Sequence, residues 1–161
     1  MGSEDQVAAA AAAMGLDIEV RAFPEGTRTA ADAAAAIGCD VAQIVKSLVF
    51  LIDDEPVVAL VGGADRLDEA ELAAAAGGSV ARRADADRAR RATGFAVGGV
   101  PPFGHARPLR CFVDDALLEH EVVWAAAGTP THVFAVAPAN LVAAARAEVA
   151  TIRVAPRSGQ P

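Results

Sequence analysis

Apolar and polar positions change period several times along this chain, and each change marks an element. An Ala-rich stretch from Glu4 to Met14, ended by Gly15, predicts a first helix. LDIEVRAF, residues 16 to 23, alternates as a strand does, up to Pro24. Thr29 is a start signal, Asp32 follows three residues on and Gly38 is a stop, which predicts a second helix. VAQIV adds a helical turn before the strand SLVFLI. DDEP then predicts a tight turn, and VVALVGG returns as the hairpin partner. LDEAELAAAAGG reads as a third helix closed by Gly77 and Gly78, SVARR as a short strand, and ADADRARRATG as a fourth helix stopped by Gly94. FAVGGVPPFGHARP is too rich in Gly and Pro to be either element. LRCFVDDALL, EVVWAAAG and THVFAVA predict strands, and PANLVAAARAEVA a terminal helix with Pro138 in its first turn.

Helices that alternate with both hairpins and crossovers predict a mixed sheet in one α+β (mixed α/β) domain: a curved, largely antiparallel sheet flanked by helices. A chain of 161 residues suits a single core. The domain is expected to span residues 1–151, with 152–161 a disordered tail. No run reaches the eighteen apolar residues of a membrane span, and the start of the chain is acidic, so a cytoplasmic protein with no membrane partner is expected. Cys39 and Cys111 have neither metal nor redox spacing and read as small buried apolar residues.

The net charge of −7 speaks against a general DNA or RNA binder. Its distribution qualifies that sum. Arg82, Arg83, Arg88, Arg90 and Arg91 fall within ten residues and face only Asp85 and Asp87. If that segment is helical, Arg83, Arg90 and Arg91 share a face that could meet phosphates; the alternative is a solvated helix with internal ion pairs. Of fourteen Lys plus Arg residues, thirteen are Arg. The one Lys is Lys46, at the entry to a predicted strand.

In GGVPPFG, residues 98 to 104, Gly98 and Gly99 free the backbone, while Pro101 and Pro102 stiffen the second half of the segment. Such a loop offers N–H donors to a carbonyl oxygen or an anion, or is a plain turn. VGGAD, 61 to 65, is a weaker case. Neither a dinucleotide fingerprint, a P-loop nor a nucleophile elbow occurs, so a Ser-His-Asp hydrolase is disfavoured. His105, His120 and His132 lack ligand spacing, and no metal or cofactor is expected. His132 reads as a surface or capping residue, or as a base or ligand contact; Trp124 reads as core.

TAADAAAAIG, VAQIVKSLVFLIDDEPVVALVGGADRLD, ATGFAVGGVPPFGH, FVDDALLEHEVVWAAAGTPTHVFAV and PANLVAA together resemble the YbaK/ProX family of aminoacyl-tRNA deacylases, from about residue 15 to 150. The most specific elements are Lys46 at a strand head and the G-x-x-x-P loop from Gly98 to Pro102. The resemblance implies a free-standing enzyme similar to the editing domain inserted in bacterial prolyl-tRNA synthetases. It would hydrolyse mischarged aminoacyl-tRNA, above all Cys- or Ala-tRNA(Pro), without a cofactor, and a synthetase is a candidate partner. Lys46 would anchor the tRNA 3′ end, while Gly98, Gly99 and Pro102 would form the loop that stabilises the oxyanion. Phe23, Thr29, Ser47, Thr131 and His132 would line the amino-acid pocket, and the Arg82–Arg91 segment would meet phosphates. A non-catalytic tRNA-binding module or a hydrolase of small esters remains the competing reading.

Overall fold

The computed structural model describes residues 2–23 and 29–155, which form five α-helices and eight strands. Local signals placed most of the helices. In α2 (Ala30–Ile37) the Thr29 hydroxyl accepts the Asp32 N–H at 3.0 Å, and Gly38 closes the helix at φ +89°. Asp68 caps α3 (Glu69–Ala76) and Asp85 caps α4 (Ala86–Thr93), with Gly77 and Gly94 left-handed at their ends. Helix α1 is Ser3–Ala13, and β1 occupies only Val20–Ala22 of the expected strand; Pro24 lies outside the described residues.

Strands β2 (Val45–Ile52) and β3 (Glu55–Gly62) form the expected hairpin. Its two-residue turn, Asp53-Asp54, has positive φ at both positions, as the right-handed twist of the strands requires, and Asp tolerates that conformation. Short β4 (Ala81–Arg83) pairs antiparallel with β2, while β5 (Arg110–Asp114) joins β3 in parallel. The remaining strands are β6 (Val123–Ala126), β7 (His132–Val136) and β8 (Glu148–Ala150). They divide between two sheets, an antiparallel β1-β7-β6 and a mixed β4-β2-β3-β5-β8. A bridge between Ile44 and Trp124 joins the two at the start of β2.

Because side chains alternate, β2 and β3 feed two cores. Val45, Val49, Leu51, Val58 and Leu60 face the main core, shared with α1, α5 and the three-stranded sheet. Phe50, Ile52, Val57 and Val61 face a second core under α3, completed by Phe112 and Ile152. Helix α2 packs separately, on Ile44 and Trp124.

Three expectations are corrected at the C-terminal side. The strand ends at Asp114, and Asp115–Glu119 is a 3-10 turn, because the Asp114 carboxylate accepts the Ala116 N–H and turns the chain. The terminal helix α5 (Pro138–Ala145) stops at left-handed Arg146, and Glu148–Ala150 becomes β8, parallel to β5. The left-handed turn at Arg146 ends the helix, and pairing with the β5 edge overrides the helix preference of the Ala residues that follow. Nor does the tail begin at residue 152. Ile152 is fully buried, and the buried Asp114 carboxylate accepts the N–H groups of Ile152 and Arg153 at 2.8 and 3.0 Å and the Arg153 guanidinium at 3.1 Å. Residues 156–161 lie outside the described residues. Cys111 is buried as expected, and that burial pushes its thiol up to about 12; Cys39 is half-buried.

Candidate active site

Lys46 enters β2 opposite Val61, on the face that carries Leu48 and Phe50. Its ammonium donates to the carbonyl of Asp65, in the turn after β3. That turn is the VGGAD segment. Gly63 donates to the Ile44 carbonyl at 2.7 Å and lies so close to the 3-10 turn Val41–Gln43 that a Cβ would fall 2.5 Å from the Val41 oxygen. The glycine therefore lets the turn settle where its next carbonyls reach Lys46. Burial pushes the Lys46 pKa below its ordinary value; the Asp65 charge opposes this, and Arg83 and Arg66 add to it. Arg83, opposite Phe50 on the neighbouring strand, shares the Lys46 face.

The Gly/Pro loop is closed by backbone and side-chain bonds. Buried Thr93 accepts the Phe95 N–H on its hydroxyl and the Ala106 N–H on its carbonyl, and His105 Nε2 donates to the Pro101 carbonyl at 2.7 Å. Burial pushes the His105 pKa down, against that hydrogen bond. At the loop's head a turn runs from Ala96 to Gly99, with Gly98 at φ +92°. Gly99 N–H is spent within this turn, on the Ala96 carbonyl at 3.0 Å. The N–H groups of Gly98 and Val100, in contrast, have no acceptor among the described residues.

Facing this loop is the turn between β6 and β7. A Cβ on Gly99 would fall 2.7 Å from Thr129 Cα, so glycine lets the two backbones touch. The turn leads into His132, the first residue of β7, whose Nδ1 lies 2.5 Å from Thr129 Oγ1.

A cavity of about 350 Å³ lies where these parts meet. Lys46, Ser47, Arg83, Gly98, Val100 and His132 line it, together with α2 and β6 residues including Thr29 and the edge of Trp124. Its size suits a small organic ligand. Ser47 Oγ is buried here and has no hydrogen-bond partner among the described residues. Trp124 is both core and wall: it packs against α2 and carries the Arg21 guanidinium 5.4 Å above its ring.

Not every expected residue reaches the cavity. Gly99 and Pro102 support the loop from behind, buried. Phe23 stacks under Arg21 at 5.3 Å, and Thr131 accepts its N–H outside the lining. Thr29 lines the wall, but its hydroxyl is committed to the α2 cap. Arg83 belongs to β4 and not to a helix with Arg90 and Arg91, so the three share no helical face. Arg82 and Arg88 are held by Asp54, at 2.9 Å and through its carbonyl. Thr129 and Val100 were missed in the sequence, since their roles depend on two loops about thirty residues apart meeting in space.

Residues 24–144 match the family model described as the aminoacyl-tRNA editing domain. The chain belongs to that family. Among solved structures, it is similar to one described as a candidate trans-editing enzyme for prolyl-tRNA synthetase: 41% identity, TM-score 0.91, covering 96% of this chain and 99% of that one. It is 28% identical over 123 residues to the uncharacterized protein YwhH of Bacillus subtilis, covering 76% of this chain and 78% of that protein. A proline–tRNA ligase of Maridesulfovibrio salexigens shares 35% identity over 109 residues, 68% of this chain but 18% of the ligase. The editing domain thus spans less than a fifth of the proline–tRNA ligases it matches. The mixed α/β single domain and the deacylase class expected from the sequence accord with this membership.

Proposed function

We propose that this editing domain acts in trans, in the cytoplasm, to hydrolyse the ester of mischarged tRNA(Pro), with Cys or Ala as the amino acid removed. The supporting observation is the convergence on one cavity of the Lys46 ammonium and the unpaired N–H groups of Gly98 and Val100. The ammonium, flanked by Arg83, receives the terminal phosphate as a compact charge. Water attacks the ester carbonyl carbon, and the carbonyl oxygen becomes an oxyanion held by the two N–H groups. Each such donor is worth about 3 kcal/mol of transition-state stabilisation in acyl-transfer sites. The C–O bond to the ribose then breaks, one proton of the attacking water passes to the ribose oxygen and the other to solvent, and the amino acid leaves as its carboxylate. Donation thus falls to Gly98 and Val100, with Gly99 and Pro102 shaping the loop. The cavity's apolar walls limit side-chain size, which separates substrates by about 1 to 3 kcal/mol per methyl.

The test is ester loss from tRNA(Pro) charged separately with Ala, Cys, Ser and Pro, by the wild type and by Lys46→Ala. Rapid loss of one mischarged species, sparing of Pro and collapse in the variant are expected. Binding of tRNA with no turnover on any species would instead establish a non-catalytic binding module, and turnover confined to small esters a different hydrolase.

A further inference from the structure

We propose that Thr129 is a positioning residue that fixes the His132 imidazole in one tautomer, with the ring proton on Nε2 and available to the cavity. The inference rests on the editing reading for its consequence, but not for its geometry. Thr129 Oγ1 accepts the Thr131 N–H at 3.3 Å, which leaves it one lone pair and a single proton to give. Among the described residues the nearest acceptor for that proton is His132 Nδ1 at 2.5 Å; the Thr131 hydroxyl is farther from both groups, at 3.4 Å from each. An O–H donated to Nδ1 leaves the neutral ring's proton on Nε2. The residue itself is pinned on both sides of its backbone, its N–H directed to the Thr129 carbonyl at 3.4 Å and its carbonyl accepting the Ala127 N–H at 2.8 Å. His132 lines the cavity, and Nε2 has no protein partner among the described residues.

A neutral imidazole held this way donates a hydrogen bond and accepts none through Nε2. It is therefore no general base in this state, and it selects an oxygen of the bound ester, on the acyl or the ribose side. Thr129 also ties that donor to the others: its backbone is the surface on which Gly99 rests, so one turn sets both the imidazole and the loop bearing the Gly98 and Val100 N–H groups. Gly99 rests on Thr129 Cα and C, which side-chain substitution leaves in place.

The test pairs two readouts. Imidazole ¹⁵N shifts of the free protein report the His132 tautomer without any substrate, and kcat/KM on the mischarged tRNA reports the reaction. In the wild type His132 is expected with the proton on Nε2. Thr129→Val, which keeps the shape and removes the hydroxyl, is expected to give mixed tautomers and a roughly tenfold lower kcat/KM, mostly in kcat. Thr129→Ser is expected to restore both to within about twofold. A wild-type proton on Nδ1, or a Thr129→Val ring unchanged in tautomer, would overturn the proposal even if turnover is normal. A correct tautomer in a protein that deacylates no charged tRNA would leave the Thr129–His132 pair standing and overturn the editing reading beneath it.

Discussion

Lys46 occupies a half-buried place where a larger cation meets resistance. Its ammonium has three donors on one atom, and one goes to the Asp65 carbonyl while the others remain for a phosphate. A guanidinium there would spread its charge over a plane, toward Arg83 and Arg66, and could not keep its bond to Asp65 in the same space. Lys46→Arg is accordingly expected to lower kcat/KM at least tenfold, with little change in thermal midpoint; retention of full activity would refute this account of the lone lysine. The lowered pKa adds a second expectation. If Lys46 anchors the tRNA end as proposed, only the protonated amine holds phosphate, and burial brings its loss below the range of a solvated lysine, so kcat/KM should fall with rising pH sooner than an ordinary lysine would allow. A pH profile that keeps the same alkaline limb in Lys46→Ala would assign that limb elsewhere.

The loop and its facing turn behave as one element, because Gly99 and Thr129 meet through backbone that has no rotamer to yield. Gly99→Ala must shift one of the two, moving the Gly98 and Val100 donors from the oxyanion. The expected cost is roughly a hundredfold in kcat, the scale of one missing donor, with KM and stability much less affected, as steady-state kinetics and urea unfolding would show. Elements whose ends are written locally were legible from the chain alone: Thr29, Asp68 and Asp85 cap their helices, Gly38, Gly77 and Gly94 end them, and Asp53-Asp54 turns the hairpin. Elements decided by distant partners were not. AEVA reads as the end of a helix until β5 offers an edge, and Ile152 reads as tail until Asp114 and the second core claim it. Ile152→Ala should therefore destabilise the fold by about 3 kcal/mol in urea titration, which a disordered residue could not do. Since Ile152 does not line the cavity, KM should hold.

At the scale of the whole molecule, binding of a polyanion by a chain of net charge −7 depends on where the uncompensated cations lie. That Lys46 and the Gly98–Pro102 loop are candidates could be read in the sequence, and the structure brings them to one cavity, but the pairing of arginines could not be read, because Asp54 reaches Arg82 and Arg88 only once the hairpin and α4 are in place. That pairing divides the arginine-rich segment. Arg82 and Arg88 are partly neutralised, whereas Arg90 and Arg91 are exposed on α4, whose other face buries Ala89 and Ala92, and have no ion pair among the described residues. If an acceptor stem lies along α4, the charges that displace its counterions are Arg90 and Arg91. Arg90→Gln with Arg91→Gln should then weaken binding of uncharged tRNA and reduce the slope of log affinity against log salt by about 0.9 for each duplex phosphate left unneutralised. Arg82→Gln should change that slope little, its charge being already shared with Asp54. Equal effects from the two sets would mean that the segment acts only through its summed charge; no effect from either would place the stem elsewhere, leaving Lys46 and Arg83 to hold only the single-stranded end.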